Sequence, residues 1–130
     1  MNGPFNLDTV VIAQTIPNAL YSTGDTLFVG LSDHAGVKVY NLSNADTEIP
    51  ISEFASGFSV KEVFWDPLDR LLLLSCGYQG VVVLELDGDM NEVDSWVLNT
   101  SYAYAARNYR GNIIVATRKG LEIITLNHYE

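Results

Sequence analysis

Ser32-Asp33-His34 sets a hydroxyl, a carboxylate and an imidazole side by side, the three groups that nucleophilic acyl transfer needs. A triad, however, requires contacts that converge from separate elements, and neighbours in an extended chain point to opposite faces. The segment therefore reads as a polar hairpin loop. As metal ligands, Asp33 and His34 would need further partners, and the other histidine, His128, stands near the end of the chain. No catalytic residue, metal ligand or cofactor is expected.

Two more segments carry candidate chemistry. Glu85-Leu86-Asp87-Gly88-Asp89-Met90-Asn91-Glu92 alternates oxygen side chains in the manner of a calcium loop. It fails the EF-hand pattern, because glycine stands fourth instead of sixth and the twelfth place is Trp96 where a bidentate glutamate belongs. An inter-strand turn is the expected reading. Cys76 follows an apolar run and has no adjoining basic residue to lower its pKa, so it reads as a buried thiol. Asn41-Leu42-Ser43 and Asn99-Thr100-Ser101 fit the glycosylation acceptor pattern, which matters only in an exported protein.

Composition narrows the partners. The 130 residues are 48% hydrophobic with a formal charge of −9, so one folded domain is expected and disorder is not. Nucleic acid and anionic membrane are poor partners because they carry the same sign of charge. No run approaches the length of a membrane-spanning helix, and the first residues do not resemble a signal peptide, so a cytoplasmic location is expected. The charge is uneven: residues 1–100 hold three basic and 14 acidic side chains, whereas residues 101–130 hold Arg107, Arg110, Arg118 and Lys119 against Glu122 and Glu130. A slightly basic end could orient the chain against an acidic surface, on a second copy or on another protein.

The elements that must position these groups are strands. Short runs such as Leu27-Phe28-Val29, Val37-Lys38-Val39-Tyr40, Leu71-Leu72-Leu73-Leu74, Val81-Val82-Val83-Leu84, Ile113-Ile114-Val115 and Leu121-Glu122-Ile123-Ile124 alternate with turn residues and show no sustained helical spacing. An all-β domain over residues 1–130 is predicted. Three of its segments superimpose on Gly36, Gly80 and Gly120, which are 44 and 40 residues apart. That period, with several strands per unit, is the mark of propeller blades.

Repeats are expected over about 18–57, 61–100 and 101–130. Inner strands fall at Ala19–Ser22, Val63–Trp65 and Tyr102–Ala105, and outer strands at about Glu48–Ala55 and Glu92–Asn99. The third unit lacks an outer strand, while Thr9–Ile16 precedes the first inner strand as an outer strand would. The N-terminal strand is thus predicted to complete the last blade, in the same or another copy, which would leave no open edge. The segments Gly111-Asn112-Ile113-Ile114-Val115-Ala116-Thr117 with Gly120-Leu121-Glu122-Ile123-Ile124, and Leu73-Leu74-Ser75-Cys76-Gly77-Tyr78-Gln79-Gly80-Val81-Val82-Val83-Leu84, resemble LVIVD-type β-propeller repeats over residues 19–127. The pattern is less like WD repeats, because Trp65-Asp66 ends an inner strand and no Gly-His pair precedes it. The resemblance implies six to eight blades, and three fall short.

A lone three-bladed copy would expose the flat faces of its end blades. Copies associating in a closed ring, foremost a homodimer with six blades, answer this; so does an excerpt of a longer propeller. In a propeller the loops that join second to third strands, and one blade to the next, share a face. Here it would gather Asp33, His34, Tyr78, Gln79, Arg118 and Lys119 from hairpins with Asn18, Phe58, Asn99 and Tyr102 from the links, and Tyr109-Arg110 marks the opposite face. This mixture suits a noncatalytic module for protein–protein contact and self-assembly, or alternatively a carbohydrate- or small-ligand-binding propeller. The inner strands offer aromatics but no catalytic carboxylate or histidine.

Overall fold

The computed structural model describes residues 16–43 and 49–126. Their strands are β1 (Pro17–Thr23), β2 (Thr26–Leu31), β3 (Val37–Asn41), β4 (Ser52–Phe54), β5 (Glu62–Asp66), β6 (Leu71–Ser75), β7 (Val81–Leu86), β8 (Glu92–Leu98), β9 (Ala103–Tyr109), β10 (Asn112–Thr117) and β11 (Gly120–Thr125). No helix occurs among the described residues. The strands form three antiparallel sheets, ordered β1-β2-β3-β4, β5-β6-β7-β8 and β11-β10-β9. Each sheet is a propeller blade traversed in chain order, and the three do not close into a ring. The predicted strand Thr9–Ile16 lies outside the described residues except for Ile16, and so does His128.

The paired apolar runs fall where the repeats placed them, and the inner and outer strands differ only in extent. The first outer strand is confined to Ser52–Phe54, because Pro50 has no amide hydrogen to pair and Ala55 turns the chain with φ 59°. The third inner strand runs on to Tyr109, since β10 pairs with it from Ala103↔Thr117 to Tyr109↔Asn112.

Alternation along the strands assigns each face. In β6 every side chain is buried. Leu72 and Leu74 pack with Phe28, Val39, Val63 and Trp65 of the first interblade core. Leu71 and Leu73 pack with Ala106, Ile113 and Val115 of the second. A strand sandwiched between two blades reads as a continuous apolar run because neither of its faces meets water. Each of the four leucines contributes about 2 kcal/mol of burial free energy. On the far face of the first blade, Tyr40 pairs with Leu27 across the ladder and packs with Val29, Leu31 and Ala35. Val29, Leu31 and Tyr40 are buried there, whereas Leu121 and Ile123 of the third blade are exposed.

The repeat glycines have a steric cause. Gly36 and Gly80 have φ of 77° and 83°, and a Cβ at either would overlap the backbone carbonyl oxygen of Phe54 or Leu98, where the outer strand of the same blade passes. At Gly120, with φ 117°, a Cβ would meet nothing within 4 Å.

Polar ties hold the blades together. Asn18 Nδ2 donates to the Val60 carbonyl at 3.0 Å, and Gly77 and Ala103 exchange backbone bonds of 3.2 and 3.0 Å between the second and third blades. Arg107 Nη1 meets Glu62 Oε2 at 3.0 Å while its guanidinium carbon lies 4.1 Å from the Phe64 ring centre.

Candidate functional site

Three loops converge between the second and third blades. Tyr78 sits in the β6–β7 connection, where Gly77 adopts φ 59° and, having no Cβ, lets the Tyr102 ring lie within 3.0 Å of the place a Cβ would occupy. Thr100, Ser101 and Tyr102 belong to the link between β8 and β9. Arg118 and Lys119 form the turn between β10 and β11, and the Arg118 N–H donates to the Tyr102 carbonyl at 3.0 Å. Together Tyr78, Thr100, Ser101, Tyr102, Arg118 and Lys119 line a cleft of about 350 Å³.

Arg118 is the centre of this site. Its guanidinium carbon stands 4.4 Å from the Tyr102 ring centre and 5.4 Å from that of Tyr78. Its Nη1 donates to the Tyr78 hydroxyl at 2.9 Å and its Nε to the Tyr104 hydroxyl at 3.4 Å. The hydroxyls of Tyr104 and Tyr78 hold the guanidinium still more firmly in its charged form. Tyr78 and Tyr102 meet edge to face at 4.6 Å. Glu122 closes one side: its carboxylate accepts from the Ser101 N–H at 3.1 Å and the Thr117 hydroxyl at 2.9 Å. Those hydrogen bonds, from Ser101 first and Thr117 next, keep its carboxyl below the ordinary range.

Of the residues singled out in the sequence, Tyr78, Tyr102, Arg118 and Lys119 meet here. Asp33 and His34 lie on the first blade's hairpin, both exposed and both at positive φ, with the His34 N–H donating to Ser59 Oγ at 2.9 Å. Gln79 faces inward to the chain: Oε1 accepts from Ser59 N and Nε2 donates to the Gly57 carbonyl, each at 2.9 Å. Phe58 is half-buried against the first interblade core, and Asn18 serves the blade tie already described. Tyr109 and Arg110 stack at 5.2 Å in a separate turn. Tyr104 and Glu122 join the site without having been anticipated. Strand alternation placed both on β9 and β11, but only the interblade geometry brings them to the hairpin residues.

The remaining candidates have local partners. Ser32 Oγ donates to the Ile16 carbonyl at 2.9 Å, away from any imidazole contact. Asp87 Oδ1 accepts the N–H groups of Asp89 and Asn91, both at 2.9 Å, so the loop that resembled a calcium site is an Asx turn. These bonds, Asn91 first and Asp89 next, lower its carboxyl pKa. Burial pushes the Cys76 thiol up to about 12.

A second feature lies on the far side of the third blade. β11 is the last strand of its sheet among the described residues, and the face turned away from the second blade presents Leu121 and Ile123 at 73% and 65% exposure. A strand with no second neighbour among the described residues, beside exposed apolar side chains, is a template for another strand.

No protein-family model matches the chain, and no curated protein matches it in sequence. Solved structures do resemble it. The computationally designed Ika8 protein superimposes with a TM-score of 0.66 at 15% identity, over 87% of this chain and 34% of the designed one. Hydrazine synthase of Kuenenia stuttgartiensis gives 0.61 at 16% identity, over 84% and 34%. PorZ, a bacterial surface component of the type-IX secretion system of Porphyromonas gingivalis, gives 0.58 at 12% identity, over 84% and 17%. This chain therefore spans about a third of the first two and less of the last. At such identities the likeness is one of propeller-like fold alone.

Proposed function

We propose that the chain is a noncatalytic propeller module, akin in its repeats to LVIVD-type proteins, whose work is protein–protein contact beginning with contact to another copy of itself. Two copies would supply six blades, and the Thr9–Ile16 strand of one would pair with β11 of the other as the missing outer strand. The open space at Gly120 supports this reading best. In the first two blades the matching glycine admits the outer strand; in the third the glycine is present and the space beside it is clear, as a blade awaiting its fourth strand requires. The exposed Leu121 and Ile123 would then be covered. Multi-angle light scattering tests the proposal. A dimer of the 14.3 kDa chain weighs 2 × 14.3 = 28.6 kDa, and a monodisperse 14.3 kDa particle at micromolar concentration overturns self-assembly.

A further inference from the structure

The cleft between the second and third blades carries hydrogen-bond donors on Arg118, Lys119 and its tyrosine hydroxyls. Arg118 commits two of its five N–H donors to the Tyr104 and Tyr78 oxygens, which leaves three for a ligand. Because each of those hydroxyls accepts from the guanidinium, its own hydrogen is directed elsewhere and can also be donated. Lys119 lines the same space and its charge also acts on Glu122. The nearby carboxylate, Glu122, is engaged by Ser101 and Thr117. With Arg118 and Lys119 against Glu122, the site carries one net positive charge on a molecule whose total is −9.

We infer that this cleft binds a small organic acid, its carboxylate held by Arg118 and Lys119 and its ring resting against Tyr78. One net charge balances a carboxylate, whereas a phosphate dianion would be left half compensated. The guanidinium fork matches the two carboxylate oxygens in one plane. Stacking on Tyr102 at 4.4 Å and two hydroxyl contacts fix the Arg118 side chain before any ligand arrives, so little rotamer entropy is lost on binding. Tyr78, 80% exposed, offers an aromatic surface for a flat ring. The cleft volume of about 350 Å³ is at the lower end of small-molecule sites, which run from about 300 to 1,000 Å³. An aromatic acid through its flat ring and a sugar acid through the C–H face of its chair both pair a carboxylate with a surface that packs on an aromatic side chain. The site does not depend on ring closure, since all its residues come from one copy.

Amide NMR of the full chain tests it, with galacturonate and 4-hydroxybenzoate as probes, galactose and phenol as their neutral counterparts, and inorganic phosphate as the competing anion. The expected result is that one acid binds with Kd at or below about 1 mM, shifting the amides of Tyr78, Ser101, Arg118 and Lys119, with its neutral counterpart roughly tenfold weaker; which acid wins identifies the ring. Arg118→Gln should weaken binding roughly tenfold with the other amides unmoved, and Arg118→Lys, which keeps the charge and loses the fork, should fall between. If Arg118→Gln does not fold, Lys119→Gln carries the test with a loss of roughly threefold. The inference is overturned if neither acid binds at or below about 1 mM, if the neutral compounds bind equally, if phosphate outcompetes both acids, or if the folded variants bind like the parent chain. Particle mass plays no part in this readout, so its outcome is separate from that of self-assembly.

Discussion

The side-chain oxygen of Gln79 accepts the backbone N–H of Ser59 at 2.9 Å, which ties the hairpin of the second blade to the link that leads into it. The same amide donates to the Gly57 carbonyl at 2.9 Å. One planar group therefore fixes a loop 20 residues distant on both sides. Gln79→Ala removes both bonds and leaves the half-buried Ser59 N–H without its partner. The expected cost is about 1–2 kcal/mol, read as a lower urea midpoint with an unchanged slope. An unchanged midpoint would show that water replaces the amide at no cost.

The repeat glycines should respond unequally to a methyl group. At Gly80 the methyl would strike the Leu98 carbonyl and the residue would also be held at φ 83°, so Gly80→Ala should cost more than about 3 kcal/mol or prevent folding. Gly120→Ala meets open space within one copy and bears only the strain of φ 117°, about 1–2 kcal/mol. Thermal melting compares the two. If a strand from another copy occupies that space, Gly120→Ala should also shift light-scattering mass toward the monomer on dilution, and a mass profile like that of the parent chain would count against strand addition.

Cys76 is only 2% exposed, and burial, the first cause, pushes its pKa from an ordinary 9.0 to about 12. Reaction with a disulfide reagent at pH 8 should be negligible in the folded protein and rapid in urea. Because the folded-state pKa is the higher one, the thiol supports folding fully below pH 9, and that support is lost as the pH rises from there toward 12. Cys76→Ser in the same titration should show a shallower alkaline limb. Fast modification of the native chain would place the thiol at the surface.

Asp87 and Glu122 contribute to the acid limb. Their pKa values are depressed below the ordinary 3.8 and 4.5 by the hydrogen bonds that their carboxylates accept. A depressed carboxyl contributes stability that is present above its unfolded value and is lost as the pH falls through its folded value. The urea midpoint should therefore drop between pH 5 and pH 3. Asp87→Asn, which retains an acceptor oxygen but cannot ionise, should flatten that slope, and a slope equal to the parent's would remove Asp87 from the account.

The blades were legible in the sequence because their causes are local. Leu71–Leu74 reads as a two-sided strand, and Gly36 and Gly80 mark the hairpins because only glycine tolerates both the left-handed backbone and the nearby carbonyl. Of the ten residues that the sequence assigned to one face, Tyr78, Tyr102, Arg118 and Lys119 line the same cleft. Gln79 looked equally available, yet its amide finds its partners at Ser59 and Gly57 through blade packing that sequence spacing does not encode. Tyr104 was visible only as an inner-strand aromatic, since its contact with Arg118 follows from the register of β9 on β10.

The burial of all four leucines in β6 has a consequence for how the molecule comes apart. The first and third blades have their own hairpin ladders, but they dock on opposite faces of the middle blade, with β6 between the two cores. Either end can open while the middle and the other end remain docked, whereas disruption of β6 removes both docking faces at once. Cooperativity is therefore graded along the array, with the middle blade as the keystone, and small losses at the ends stay local while a loss at the centre spreads to the whole.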